Sequence, residues 1–326
     1  MVETCPPLAP LGLAYGLAMR VRNWLYDHGT FTAHRVGVPV VSVGNLSVGG
    51  TGKTPLVIWL VERARAAGKR PGVLARGYGR EDGRELNDEG MLLRARFPDL
   101  VQVQDPDRVR GAARLIASGK VDYAILDDGF QHRRIARDRD LVCIEARHGG
   151  ADGRVLPWGR LREPLRGLRR ADAVVLTRAG DLSVEVRGRL AARVRELAEK
   201  DLPVFESEHA PSTLLEMPSG RVRKVEALRG RDVVLLAAIA RPEAFANTLV
   251  ALGARVVEQI ARRDHHRHTR AELVAAAAKA KELGAWLLTT EKDEAKLAGW
   301  PEERHVLRVE LRFLGDTPGQ DLLLLR

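Results

Sequence analysis

The 326-residue chain is 45% hydrophobic and carries a formal net charge of +10; this supports a packed core, excludes wholesale disorder, and suits two domains or one large one. Its two cysteines, Cys5 and Cys143, cannot build a disulfide framework or a four-ligand zinc site and fit a reducing cytosol. The basic excess admits nucleic acid, an anionic membrane or a phosphorylated substrate, but aromatics are only 5%, so the stacking residues of single-strand binders are missing and no nucleic-acid partner is expected.

The first patterned stretch is PLAPLGLAYGLAMRVRNWLYDHG, residues 7–29. Leu13, Leu17, Val21, Trp24 and Leu25 share one helical face, flanked by Arg20 and Arg22. The pattern suits an interfacial helix on an anionic leaflet, or a terminal helix docked on its own domain. No secretory signal is visible, and no apolar run reaches the roughly 18 residues of a membrane span.

Short apolar runs then alternate with helical patterns. Strands are predicted at 38–43, 72–75, 101–103, 123–126, 141–144 and 173–176, with helices at 54–67, 107–118 and 184–199. This alternation predicts a mostly parallel sheet flanked by helices. Residues 206–232, mixed in charge and broken by Pro, Ser and Gly, read as a linker. A smaller α/β C-terminal domain follows over 233–326, with strands at 233–237, 255–259, 285–289 and 305–309 and helices at 241–252 and 270–283. The expected layout is a 1–30 amphipathic helix, a 31–205 P-loop domain, the linker and the smaller domain.

The strand at 38–43 runs into GNLSVGGTGKTP, and the helix at 54–67 follows. Strand, glycine turn, Lys-Thr and helix form the phosphate-cradling arrangement. Glycine lets backbone N–H groups approach phosphate oxygens, and the helix start adds its own N–H groups and positive dipole end. Ser47, Val48, Gly49, Gly50, Thr51, Gly52, Lys53 and Thr54 are therefore the expected nucleotide contacts, with Lys53 on the β and γ phosphates and Thr54 on Mg²⁺. Ser47 stands where the strict pattern has its first glycine. The next acid pair, Asp127-Asp128 after a buried strand, is either a metal carboxylate site or a plain Asp-Asp-Gly turn. No Asn-Lys-x-Asp guanine reader and no Leu-Ser-Gly-Gly signature is present, which leaves a small-molecule kinase. A P-loop switch that hydrolyses nucleotide without an acceptor is the alternative.

The chain resembles the tetraacyldisaccharide 4′-kinase family, the lipid A 4′-kinases. The similarity runs in order through VGNLSVGGTGKTP (43–55), ARGYGR (75–80), NDEG (87–90), LDDGFQHRRIARD (126–138), LPWGRLREP (157–164), RDHH (263–266) and TTEKD (289–293). The Ser47 variant of the loop is typical of that family. The resemblance implies ATP and Mg²⁺, and transfer of the γ-phosphate to the 4′-hydroxyl of an acylated disaccharide 1-phosphate, giving lipid IVA. It implies a peripheral protein on the cytoplasmic face of the inner membrane, with an anionic membrane surface as partner.

The resemblance also implies roles. Asp88 is the expected catalytic base, with Glu89 helping the metal; the family string is Gly-Asp-Glu-Pro, whereas here Asn87 and Gly90 flank the acids. His265 is the expected partner of Asp88, arriving from the second domain across a cleft that closes. Without the resemblance, NDEG reads as a solvated turn and the histidine cluster as a basic loop. Arg76, Tyr78, Gln131, His132, Arg162 and Glu163 are the expected substrate contacts. Either Asp127 or Asp128 holds the metal with Thr54. TTEKD completes the match without an assigned role.

Overall fold

The computed structural model describes residues 8–78, 85–148, 153–297 and 299–325. Cys5, the end of the ARGYGR motif at 79–80 and the first residues of the 1–30 segment lie outside them. In chain order the elements are α1 (Ala9–Asp27), β1 (Val40–Asn45), α2 (Lys53–Ala66), β2 (Pro71–Ala75), α3 (Asp88–Arg96), β3 (Val101–Gln104) and α4 (Arg108–Ala117). Next come β4 (Tyr123–Asp127), β5 (Arg139–Glu145), β6 (Ala173–Thr177), α5 (Val184–Ala198), β7 (Val204–Met217) and β8 (Arg221–Lys224). The chain ends with β9 (Asp232–Ala237), α6 (Pro242–Ala251), β10 (Arg255–Ala261), α7 (Arg270–Glu282), β11 (Trp286–Thr290), α8 (Glu291–Leu297), β12 (Arg304–Phe313) and α9 (Gln320–Leu323).

Two compact units form, and their bounds differ from the expected domains. Unit 1 comprises Met1–Gly77, Asp99–His209 and Leu311–Arg326; unit 2 comprises Tyr78–Pro98 and Ala210–Glu310. The α3 segment thus belongs with the C-terminal residues, and the last stretch of chain returns to unit 1. The expected linker at 206–232 is largely strand: β7 covers 204–217, and β8 pairs with it antiparallel. Ser207, Pro211 and Ser212 are absorbed in a long, half-buried strand, while Pro218, Ser219 and Gly220 make the turn to β8.

Unit 1 is a parallel sheet in the order β7-β6-β5-β1-β4-β2-β3. Every residue of β1 is buried, as expected of a strand covered on both faces. Leu56, Leu60, Val61 and Ala64 of α2 are fully buried, so that helix is held by packing. The chain order reverses around β1, with β4 on one side and β5 on the other. A parallel sheet collects ligands at the carboxyl ends of strands beside such a reversal, and there the glycine loop follows β1 and the acid pair ends β4. In unit 2, β10, β9, β11 and β12 are parallel neighbours. Val234 and Leu236 pack with Leu273, Ala276 and Ala280 of α7.

Gly44 lies inside β1 and serves packing: a Cβ there would stand 2.5 Å from Phe130 Cβ and 2.7 Å from the Phe130 backbone nitrogen. Phe130 follows the acid pair and cannot retreat without moving it. Gly44→Ala is therefore expected to cost about 1–3 kcal/mol. Calorimetry should show a midpoint several degrees lower; an unchanged midpoint would mean the strand and the turn separate freely.

Candidate active site

The loop after β1 has left-handed backbone at Gly49 (φ 107°) and at Gly52 (φ 81°), the residue capping α2. Side chains rarely adopt these angles, so both positions require glycine. The loop is clamped from several sides. Asn45 Nδ2 donates to the Ser47 carbonyl at 2.7 Å and to Thr51 Oγ1 at 2.8 Å. Thr177 Oγ1 donates to the Thr51 carbonyl at 2.8 Å. The LPWGRLREP segment runs alongside: Val48 N–H donates to the Arg160 carbonyl at 2.8 Å, and Arg162 N–H donates to the Leu46 carbonyl at 2.7 Å. The Val48 amide, expected to face phosphate, is therefore spent on Arg160. Lys53 and Thr54 open α2, where the helix cannot use their amides.

Asp128 takes a left-handed φ of 57° and holds two cations. Arg162 Nη1 donates to its oxygens at 2.8 and 2.7 Å, and Lys53 Nζ lies 3.3 Å from Oδ1. Burial pushes this carboxyl up, but Lys53 and Arg162 outweigh burial and hold it below the ordinary carboxylate range. Both Asp128 oxygens are thus engaged. Asp127 ends β4 in register with Val43 of β1, at the strand end beside the loop. The Thr54 hydroxyl and the Asp127 carboxylate are hard oxygen donors of the kind that suits Mg²⁺.

A basic group adjoins these acids. Burial pushes the His132 imidazole down to about 4, with Arg108 and Arg76 adding to the effect, so the ring is neutral at pH 7. Arg108, absent from the sequence expectations, is 2% exposed. Its Nη1 donates to the Asp105 and Pro106 carbonyls, while Nε and Nη2 are buried without a hydrogen-bond partner. Burial pushes its guanidinium down to about 10, Asp128 and Asp127 offset part of that, and Arg76 opposes them. A buried guanidinium with unused donors beside two acids and a second arginine is an anion-seeking group. Nothing in the local pattern distinguishes it among so many arginines.

One expected substrate contact, Glu163, is corrected. Glu163 is fully buried and accepts from Gln131 Nε2 at 2.9 Å, Asn23 Nδ2 at 2.9 Å and Arg170 at 2.9 Å, so it braces the site from behind. Gln131 Nε2 also donates to the Asn45 carbonyl at 2.9 Å, which ties the amide to the loop's base. Tyr78 is 83% exposed at the start of unit 2, and its carbonyl accepts from Asn87 Nδ2.

Unit 2 brings Asp88 and His265 together. Asn87 caps α3, its side chain accepting from Gly90 N–H, so NDEG is a helix start and not a solvated turn. Asp88 and Glu89 occupy the first turn, where negative charge suits the helix dipole. His265 Nδ1 lies 2.9 Å from Asp88 Oδ2. Oδ1 of Asp88 carries no hydrogen bond among the described residues. The pair lies within one compact unit, which overturns the expectation of a base assembled when two domains close. His265 itself has a left-handed φ of 66°, and its N–H donates to Asp264 Oδ1 at 3.0 Å. Lys292 Nζ holds the same Asp264 oxygen at 2.9 Å.

TTEKD acquires a structural account here. Glu291 pairs with Arg96 at 3.3 Å and Arg308 at 3.1 Å, tying α3 to α8 and β12. Asp293 is fully buried and accepts from Ala238 N–H at 3.0 Å and Thr290 Oγ1 at 2.8 Å. His266, His268 and Glu272 place ligand atoms within 4.8 Å of one another. However, Glu272 already serves the capping box of α7, Arg262 and His266, so this trio is a helix start.

Strand, glycine loop, lysine and strand-end carboxylate define a P-loop nucleotide-binding protein. Comparison with known proteins narrows the class. Residues 5–326 match the family described as LpxK: Tetraacyldisaccharide-1-P 4'-kinase. A tetraacyldisaccharide 4'-kinase of Anaeromyxobacter dehalogenans is 41% identical over 94% of this chain and 87% of its own length. One from Chlorobaculum tepidum is 37% identical over 95% and 92%. The crystal structure of the "apo" form of LpxK from Aquifex aeolicus in complex with ATP superposes with a TM-score of 0.77, at 30% identity, over 98% of this chain and 97% of that one. The chain belongs to the tetraacyldisaccharide-1-P 4'-kinase family.

Proposed function

We propose that the chain moves the γ-phosphate of ATP onto the 4′-hydroxyl of a tetraacyldisaccharide 1-phosphate, as its family implies. In unit 1, Lys53 and the amides opening α2 bind the transferring phosphate and stabilise its developing charge. Thr54 and Asp127 would hold Mg²⁺, which when bound neutralises phosphate charge. Asp128 keeps Lys53 and Arg162 in place. Arg76, Arg108 and neutral His132 form the anion-binding wall. In unit 2, Asp88 Oδ1 accepts the proton of the attacking hydroxyl while His265 Nδ1 holds Oδ2.

The observation that carries this reading is the 2.9 Å contact between Asp88 and His265. A nucleotide switch has no alcohol to deprotonate and no need of such a pair. The test is transfer of label from γ-labelled ATP to a tetraacyldisaccharide 1-phosphate in mixed micelles. Labelled lipid, with little ATP consumed in its absence, is the expected result. Acceptor-independent hydrolysis with no labelled lipid would overturn it.

The same reading puts the protein peripherally on the cytoplasmic face of the inner membrane. No helix among the described residues is long and apolar enough to cross a membrane. Instead α1 docks through one face: Gly12 and Gly16 are buried, Tyr15 OH donates to the Arg162 carbonyl, and Asn23 reaches Glu163. The opposite face leaves Leu13 65%, Leu17 61% and Trp24 54% exposed. The docked face and the exposed apolar face together support a helix held by its own domain and open to a leaflet. Arg22, expected beside the apolar face, turns inward and donates to the Gln131 carbonyl at 2.8 Å. Seating this face in a leaflet buries leucines at roughly 1.5–3 kcal/mol each. Leu13→Asp/Leu17→Asp is expected to weaken co-sedimentation with anionic vesicles about 100-fold or more. Binding of that variant within about twofold of the parent would remove α1 as the anchor.

A further inference from the structure

We propose that Lys296 is a positioning residue that holds both members of the Asp88–His265 pair in register; this rests on Asp88 being the base. Lys296 lies on the last turn of α8 with its side chain only 1% exposed. Its Nζ is 3.0 Å from Asp293 Oδ1 and donates to the His266 carbonyl at 3.0 Å. It also lies 3.6 Å from Asp88 Oδ2, the oxygen that faces His265 Nδ1. One ammonium therefore touches the carboxylate of the pair and the backbone next to the imidazole.

The anchor for this ammonium is rigid. Asp293 is fixed by Ala238 N–H at the end of β9 and by Thr290 Oγ1 at the end of β11. Strand ends thus set Asp293, Asp293 sets Lys296, and Lys296 sets Asp88 and the loop carrying His265. A buried ammonium must be balanced by nearby anions, and here two carboxylates flank it. The left-handed backbone of His265 is costly for a non-glycine residue and persists only where its surroundings fix it. The Lys296 bond to the next carbonyl is one such constraint, and the Asp264–Lys292 contact is another. With Oδ2 of Asp88 held by His265 and Lys296, Oδ1 is kept for the hydroxyl proton. Lys296 acts through Asp88 and touches no substrate in this scheme.

The test compares Lys296→Met, Asp88→Asn and their double variant in the labelled-lipid assay. Lys296→Met is expected to lower kcat about 10- to 100-fold with KM for ATP within about twofold, because geometry at the base changes while the nucleotide site does not. In the Asp88→Asn background the same change should cost less than about twofold, since it has no base left to position. A full additional loss there, or undiminished turnover of Lys296→Met, overturns the proposal. Lys296→Met leaves Asp293 buried without its cation, so Lys296→Met/Asp293→Asn keeps the core neutral. If that variant melts like the parent and still shows the kcat loss, positioning is supported; parental kcat overturns it. Failure of the parent enzyme to label lipid would instead strike the kinase reading, which the parent and Asp88→Asn measure independently of Lys296.

Discussion

Replacing Lys53 by alanine is expected to lower kcat/KM for lipid phosphorylation about 10³-fold or more. Removing a single neutral donor at a developing charge costs on the order of 10²–10³, and a positive charge at the transferring phosphoryl group contributes more. The fold should tolerate the change. Lys53 is 3.3 Å from Asp128, but Arg162 holds both oxygens of that carboxylate and remains when the lysine is gone. A partly exposed ion pair of this kind contributes roughly 1 kcal/mol or less. Activity should therefore collapse while the melting midpoint moves by only a few degrees. Lys53→Arg is not expected to restore turnover, because a planar fork cannot replace a compact ammonium on the phosphates. If Lys53→Ala kept more than about a tenth of parental transfer, the loop would not be the site of phosphate stabilisation.

Unit 1 was legible because its strands are buried on both faces. Runs such as YAIL at 123–126 and AVVL at 173–176 have no polar alternation, and tight glycines or Asp turns bound them. β2, β3, β4 and β6 each extend the expected strand by one residue and β5 by three, whereas β1 lies two residues further along than the expected 38–43, so Val38 and Pro39 precede the strand. Less legible was anything decided by long-range pairing. β7 carries Pro211, Ser207 and mixed charge, and only its partners on either side make it a strand. α3 was missed although its signal was present: Asn87 precedes two acids, as a capped helix start requires. The return of 311–326 to unit 1 follows the path of β12 and has no local signature.

The site shows the same division. Local chemistry pointed to the glycine loop, Lys53, Thr54 and the acid pair. Resemblance supplied Asp88 and His265, whose contact joins residues 177 apart in sequence. Spacing could not show that the backbone turn at Asp128 sets that side chain against Lys53 and Arg162. Nor could it show that Glu163 is fully buried or that Arg108 has unused donors, since both depend on packing from distant segments. Gly44 looked like part of the phosphate loop, yet it serves Phe130.

The second large effect concerns the proton. Asp88→Asn keeps the shape of the side chain and the start of α3 but removes the base, and kcat should fall about 10²–10⁴-fold. His265→Ala should cost less, about 10- to 100-fold, because the carboxylate remains and only its orientation and polarisation are lost. The double variant should be no slower than Asp88→Asn, since two groups acting as one unit are not additive. KM for ATP should stay within about twofold in all three, because neither side chain handles nucleotide in this scheme. Fold is a weak confounder: Asn87 still caps α3 in each variant, and His265 lies on a partly exposed loop. If His265→Ala proved slower than Asp88→Asn, the imidazole would be the base and Asp88 its orienting carboxylate. If the two losses multiplied in the double variant, the residues would act separately. The 2.9 Å contact would then be a resting-state hydrogen bond with no part in the transfer.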